Sequence, residues 1–186
     1  MEGVKNCHRI AKGIRGRWLL LMFVGFSAYA EGDSAREHQS QEQVQAVFLY
    51  QFSRYVHWPK SAPKGDFVIC TYGKTAVTDH LREIATKKTT RGRALRIATP
   101  AEPENVQPCH IVFIAPDSAA RVAALLTYLG DRPILTVGNS RGLTDAGVML
   151  NFFLREGKVR FDANAEKIDK SGLFMSTQLW KLMQFK

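Results

Sequence analysis

The chain has 186 residues, with 26 lysines and arginines against 17 aspartates and glutamates, and a formal net charge of +9. Five of the basic residues and one acidic residue lie in residues 1–30, so residues 31–186 keep 21 basic and 16 acidic side chains, a charge of only +5. This length suits one domain with one hydrophobic core. Basic and aromatic residues are not interleaved, which argues against nucleic-acid binding.

Residues 1–30 have the order of features of a secretory signal peptide. Five basic residues come first, residues 18–26 form an apolar run, and Ala28-Tyr29-Ala30 supplies the small-x-small pattern of a cleavage site. The apolar run is shorter than the roughly 20 residues that cross a bilayer, which disfavours the alternatives of a membrane anchor or a buried helix. We therefore expect cleavage after Ala30 and export of residues 31–186.

The exported part should begin with a flexible lead-in over the polar residues 31–42, followed by a single domain over residues 43–186. A helix is predicted from about Glu42, because apolar residues recur there at helical spacing. The members of this predicted stripe are Val44, Val47, Phe48, Phe52 and Val56. Pro59 should end the helix, because a residue that precedes proline is kept out of the helical region.

The middle of the chain alternates between short predicted strands and predicted helices. The strands cover residues 67–72, 93–98, 110–114 and 133–137, and the helices cover residues 76–85 and about 117–130. Strands that are mostly continuous apolar runs, separated by helices, favour a parallel sheet covered on both faces. Residues 148–154 and 159–161 flank a four-residue turn with Gly157, which predicts an antiparallel hairpin. An amphipathic helix is predicted over residues 173–183.

The predicted fold class is therefore α/β, with an open, mostly parallel sheet, helices on both faces, an antiparallel hairpin near the end and a C-terminal helix. Two cysteines, Cys70 and Cys109, remain in the exported part. An even number in an oxidising compartment favours a disulfide, with free buried thiols as the alternative. The bridge would close 40 residues, and loop-closure entropy would then contribute about 4 kcal/mol to stability.

The sequence offers no recognisable catalytic motif. No nucleophile elbow, Walker or dinucleotide motif is present, and no C-x-x-C or H-x-x-x-H spacing predicts a metal site. We therefore expect no catalytic residue, no metal and no cofactor, although an enzyme whose groups converge only in space stays an alternative. The loop GNSRG at residues 138–142 either holds a small ligand at the carboxyl edge of the sheet or is a plain strand-exit loop.

Three other groups of residues are candidates for binding. The basic residues Arg91, Arg93 and Arg96 form either a docking face for an anionic partner or membrane surface, or a solvated loop and strand edge. A second group either binds a partner or ligand or satisfies buried backbone groups at a corner where Asn164 caps a helix; it consists of Asn151, Arg160 and Asn164. The tail is more apolar than a solvated end needs, so Phe174 and Trp180 either face a partner or cover the sheet.

The order and spacing of several segments resemble the YfiR family of periplasmic proteins, from about Val44 to Leu182. The segments are AVFLYQF (46–52), VHWP (56–59), FVIC (67–70), RGR (91–93), CHIVFI (109–114), LTVG (135–138), and the series Asn151, Arg160-Phe161, Asn164 and Ser171-Gly172-Leu173. The resemblance implies an α/β sandwich, a homodimer, and a disulfide between Cys70 and Cys109. A second family bridge falls at residues 144–151, where this chain has no cysteine, so redox sensing through that bridge is not expected.

In function, the resemblance implies a periplasmic repressor. Such a protein acts on the periplasmic part of an inner-membrane diguanylate cyclase, lowers cyclic di-GMP and so restrains biofilm formation. An outer-membrane OmpA-like lipoprotein sequesters the repressor and releases the cyclase. The alternative function is a periplasmic small-molecule binding or sensor module, with its ligand near residues 138–142.

Overall fold

The computed structural model describes the backbone of residues 31–181 and 184–185, and the side chains of residues 41–181. The predicted signal peptide and its cleavage site lie outside these residues. The described helices are α1 (Glu31–Tyr55), α2 (Val77–Lys87), α3 (Val122–Leu129), α4 (Ala165–Lys170) and α5 (Thr177–Trp180). The described strands are β1 (Val56–His57), β2 (Phe67–Tyr72), β3 (Thr89–Thr90), β4 (Arg93–Ala98), β5 (Ile111–Ile114), β6 (Leu135–Gly138), β7 (Leu150–Arg155), β8 (Lys158–Ala163), β9 (Phe174–Met175) and β10 (Gln184–Phe185).

The main sheet has the strand order β10-β8-β7-β6-β5-β2-β4-β3. Its five central strands, β7, β6, β5, β2 and β4, are parallel to one another. The β7–β8 hairpin is antiparallel, as its glycine turn predicts. A separate two-stranded sheet joins β1 to β9. The predicted α/β class and its mostly parallel sheet are therefore confirmed.

Apolar side chains of the central strands alternate between two cores, one on each face of the sheet. In β2, Phe67 and Ile69 face the core that α1 and α2 cover, whereas Cys70 and Tyr72 face the core that α3 covers. The first core holds an aromatic group in which the Phe52 ring lies 5.9 Å from the Phe152 ring and 5.3 Å from the Phe161 ring. Helices on both faces thus bury both sides of the strands.

The first helix differs from the prediction in its start and in its buried side. It begins at Glu31 rather than near Glu42, because residues 31–42 contain no proline and several good helix formers. Val44 and Val47 of the predicted stripe are 40% and 45% exposed. The buried side instead consists of Gln45, Ala46, Leu49, Phe52 and Ser53, and the buried Val56 of the predicted stripe lies in β1, beyond the end of the helix at Tyr55. The predicted stripe included Val44 and Val47 and passed over Ala46 and Leu49, whose helical spacing with Phe52 fixes the face that meets the sheet.

The C-terminal helix is much shorter than predicted. It covers one turn, Thr177–Trp180, and begins where the Ser176 Oγ accepts a hydrogen bond from the Leu179 N–H at 3.3 Å. Gly172, with φ of +69°, redirects the chain after α4, so that Phe174 and Met175 run extended beside β1. Pairing with a neighbouring strand therefore outweighs the helical spacing of the tail residues. Of the other predicted tail positions, Leu182 and Met183 lie outside the described residues.

Candidate functional site

A polar network ties the β7–β8 hairpin to the loops beside it. Asn151 and Asp162 face each other across the hairpin. The Asn151 Oδ1 accepts a hydrogen bond from the Ser140 N–H at 3.2 Å, and the Thr144 hydroxyl donates to the Asp162 carboxylate at 3.0 Å. The Asn164 amide donates to the Thr144 carbonyl at 2.9 Å, and its Oδ1 caps α4 by accepting a hydrogen bond from the Lys167 N–H at 3.0 Å. The network thus organises the corner at which the hairpin meets α4.

The predicted corner group is only partly brought together. Asn151 is buried and Asn164 half-buried within the network, and Asn164 caps α4 as its position predicts. Arg160 is exposed and lies opposite Phe153, two positions along β8 from Asp162. Thr144 and Asp162 complete the network in the structure; sequence analysis did not single them out, because a hydroxyl in a turn and a carboxylate in a strand carry no distinctive spacing.

The GNSRG loop at residues 138–142 is closed by the protein's own side chains. A Cβ at Gly138 would collide with the Leu143 side chain, so that space is already filled. The Ser140 N–H is held by Asn151, and the Asn139 amide donates to Gln45 of α1 at 3.3 Å. These contacts favour a strand-exit turn that anchors the sheet to α1. Two buried oxygens nearby, Oδ1 of Asn139 and Oδ1 of Asp162, receive no hydrogen bond from the residues that the structure describes.

An exposed aromatic surface forms where the tail pairs with the end of α1. Val56 and Met175 point into the core from the two paired strands, so His57 and Phe174 point outwards. Phe174 is 67% exposed, and its ring meets the His57 ring edge-on at 6.0 Å. Tyr55, the last residue of α1, is also exposed, and its carbonyl accepts a hydrogen bond from the Ser176 N–H. We call Tyr55, His57 and Phe174 the tail patch.

The two predicted tail residues therefore have different surroundings. Trp180 is half-buried and packs against the core between α1 and the sheet. Phe174 has most of its side chain in solvent. Of the two, Phe174 offers the larger apolar surface to a partner, and Tyr55 and His57 extend that surface. Their contribution depends on the two-residue pairing of β1 with β9, which is too short to show in a sequence pattern.

The predicted disulfide forms in the α3-side core. Cys70 and Cys109 are bonded, with their Cα atoms 5.8 Å apart, and both are completely buried. Thiol–disulfide exchange requires that a thiolate reach one of the sulfurs. The burial of both cysteines therefore indicates a structural bridge rather than a redox switch.

The residue after the bridge, His110, holds a loop to the sheet. Its Nδ1 accepts a hydrogen bond from the Val68 N–H at 3.2 Å, which places the proton of the neutral ring on Nε2, 2.9 Å from the Pro63 carbonyl that accepts it. The ring stacks on Phe67 with centroids 4.4 Å apart. Burial lowers the pKa of His110, and the nearby Arg93 charge lowers it further, against the opposing effect of the Pro63 hydrogen bond.

Two of the three arginines in the predicted basic patch serve the fold. Arg93 donates to the carbonyls of Pro63, Gly65 and Asp66, which fixes the loop before β2. Arg91, at φ of +52°, donates to the carbonyls of Arg54 and Val56 at the end of α1. Arg96 is different, because it is exposed on β4. The solvated-loop interpretation thus does not account for the specific contacts that Arg91 and Arg93 make with backbone carbonyls.

The described residues contain no group of three or more histidine, cysteine, aspartate or glutamate side chains placed to hold a metal ion. Within the same part of the chain, no helix has the length and apolar character needed to cross a membrane. The fold and site define a small, disulfide-bridged α/β protein with a polar corner and an exposed aromatic patch.

Comparison with known families gives this class its name. The sequence matches the YfiR/HmsC-like family over residues 42–183, most of the chain, and the protein belongs to that family. Membership supports a periplasmic location and a regulatory rather than catalytic role in general. No curated protein of similar sequence was found.

Proposed function

We propose that this protein is a periplasmic, non-catalytic repressor of an inner-membrane diguanylate cyclase. It binds the periplasmic part of the cyclase, lowers cyclic di-GMP output and limits biofilm formation. An outer-membrane OmpA-like lipoprotein binds the repressor in competition and releases the cyclase. Family membership supports the regulatory role, and the buried disulfide suits an oxidising compartment.

The tail patch is the observation that carries the partner-binding part of the proposal. Phe174 is 67% exposed, although its strand position needs only a residue that tolerates extended backbone. Burying a phenylalanine side chain against a partner gains about 1.5–3 kcal/mol. Aromatic anchors of this kind carry a large share of the binding energy at protein interfaces.

The patch is also firmly supported, which suits a binding anchor. Behind the exposed Phe174 and His57, their strand neighbours Met175 and Val56 are buried in the core that α1 and α2 cover. The Ser176 N–H donates to the Tyr55 carbonyl at 3.0 Å, which joins the tail to the end of α1. Little ordering would then be needed on binding, which reduces the entropic cost of association.

A binding experiment tests this assignment with a matched pair of variants. Phe174→Ser should weaken binding to the purified periplasmic domain of the cyclase by about tenfold or more, as loss of an aromatic anchor does. Leu154→Ser is the control, because Leu154 is also apolar and 49% exposed but lies on β7, near the turn of the hairpin. Equal affinities for Phe174→Ser and the unaltered protein, measured by calorimetry, would contradict the assignment.

The rival lipoprotein provides a second measurement on the same surface. Adding the lipoprotein to the preformed complex should displace the cyclase domain in proportion to the lipoprotein's own affinity. Phe174→Ser should weaken the binding of both partners. We also propose that the repressor acts as a homodimer, which light scattering on the purified protein would show directly as twice the chain mass.

A small-molecule sensor is the second candidate function, and one observation favours it. The Oδ1 atoms of Asn139 and Asp162 are buried acceptors to which no side chain or backbone group in the described part of the chain donates, and such atoms are costly unless a donor reaches them. A small ligand with an ammonium or amide group would supply one. Native mass spectrometry of protein purified without dialysis would show the retained mass; a spectrum of the bare chain alone would count against this function.

A further inference from the structure

The outer edge of β4 is largely open in the described part of the chain. β3 pairs only with Arg93 and Ala94, the first two residues of β4. From Leu95 to Ala98, β4 pairs with β2 on its inner side, and no described strand lies on its outer side. An unpaired strand edge presents a row of backbone N–H and C=O groups that can accept another strand.

The turn before β4 shows which backbone groups point outwards. Arg91 and Gly92 have φ of +52° and +74°, the signs that a two-residue type I′ turn requires at both central positions. In such a hairpin the flanking residues, Thr90 and Arg93, exchange the backbone hydrogen bonds, and the direction alternates along the strand. The N–H and C=O groups of Leu95 and Ile97 therefore point to the open side.

A groove of about 410 Å³ follows this edge. Its apolar lining comes from Ala85 of α2 and from Leu95 and Ile97 of β4. Arg82 lies on the α2 side of the groove, and the Arg96 side chain points to the opposite face of the sheet from Leu95 and Ile97. A strand added here would place alternate side chains over the apolar lining and the others towards Arg96.

The charge at the edge is only loosely neutralised. Among the described residues, the ion pair of Arg96 is a 3.9 Å contact from its Nε to the Asp66 carboxylate, and the Arg96 side chain is 71% exposed. Arg93, by comparison, donates its hydrogen bonds to backbone carbonyls of the loop before β2. Arg96 is thus available for a closer, bidentate hydrogen-bonded contact with a carboxylate of an incoming chain.

We propose that the outer edge of β4, from Leu95 to Ala98, is a docking site for an extended segment of a partner protein in which apolar and acidic residues alternate. The segment adds to the sheet as a strand, with backbone hydrogen bonds to Leu95 and Ile97, apolar side chains in the groove and carboxylates at Arg96. This site is distinct from the tail patch and does not depend on the function proposed above.

The test uses a fluorescent octapeptide in which valine and glutamate alternate, added to the purified protein. Binding, followed by fluorescence anisotropy, should be saturable and should slow hydrogen exchange at the amides of Leu95 and Ile97. An octapeptide of alternating valine and lysine should bind more weakly. Equal binding of the two peptides, or protection at other amides only, would overturn the proposal.

Two variants make the test specific. Arg96→Glu should weaken binding of the glutamate peptide by about threefold to tenfold, whereas Arg141→Glu, the same charge change beyond β6, should leave it unaltered. Ile97→Pro removes an outward N–H that the inner ladder does not use, so it should abolish binding while the fold is kept. If Ile97→Pro fails to fold, the two arginine variants decide the matter. Amide protection at this edge in the absence of peptide, together with a concentration-dependent dimer, would assign the edge to self-association instead.

Discussion

Removal of the Cys70–Cys109 bridge should destabilise the protein strongly without changing its fold. The bridge joins residues 39 positions apart in the chain and closes a loop that contains the second half of β2, all of α2, β3 and β4, and the turns before β5. In the chain-entropy description, closing about 40 residues lowers the entropy of the unfolded chain by about 13 cal/mol/K, or about 4 kcal/mol at 25 °C. Small domains have a total stability of about 5–15 kcal/mol, so this is a large share.

The double variant Cys70→Ala/Cys109→Ala is the suitable perturbation, because serine would leave two buried hydroxyls in an apolar core. Urea denaturation followed by circular dichroism should show a loss of about 4 kcal/mol relative to the oxidised protein. The unaltered protein, reduced while unfolded and then compared under reducing conditions, should behave like the variant. A loss below about 1 kcal/mol would refute the loop-closure reasoning, since it would be no more than an ordinary point mutation costs.

The same experiment separates a structural bridge from a switch. Because both cysteines are completely buried, a mild reductant should leave the bridge intact in the folded protein and cleave it only once urea unfolds the chain. Thiol labelling with a maleimide, followed by mass spectrometry, measures this directly. Labelling of the folded protein at the same rate as the unfolded protein would show that the bridge is accessible and open to redox control.

Two further predictions concern stability. The pKa of His110 is lower in the folded than in the unfolded protein, so the unfolded chain binds more protons as the pH falls. The free energy of unfolding should therefore be independent of His110 above about pH 6.5 and should decrease as the pH is lowered through that value. The decrease should be at most about 1.4 kcal/mol per pH unit. Urea denaturation at several pH values measures this, and a His110→Asn variant with the same pH dependence would contradict it. Phe52→Ala should cost about 3–5 kcal/mol, because Phe52 is completely buried in the aromatic group, whereas Val47→Ala on the same helix should cost under about 0.5 kcal/mol. Thermal unfolding compares the pair, and equal losses would show that the buried side of α1 is not the one described.

The fold was predictable where burial on both faces leaves a continuous apolar run. Strands β2, β4, β5 and β6 and the hairpin fall within two residues of their predicted positions, because each contains apolar side chains that pack into the core, whereas the two-residue β3 was not predicted. The side of α1 that is buried was less predictable. Ala46 and Leu49 mark that side, but a stripe through the larger set of apolar residues also includes Val44 and Val47, which only the position of the sheet shows to be exposed.

The candidate site was predictable only in part, since its geometry depends on pairings between distant segments. Asn164 could be identified as a cap, because capping is local in sequence. The tail patch depends on β9 returning to pair with β1, more than 115 positions away in the chain, and a two-residue strand leaves no periodic signal. The open edge of β4 likewise follows from the shortness of β3 rather than from any property of β4 itself.

The central claim, repression of a cyclase through the tail patch, is tested most directly by intracellular cyclic di-GMP in a strain that lacks this protein. The level should rise on deletion, return to normal with the unaltered protein or Leu154→Ser, and stay high with Phe174→Ser produced at equal abundance. An unchanged level on deletion in a strain shown to express the cyclase, or full restoration by Phe174→Ser, would contradict the account.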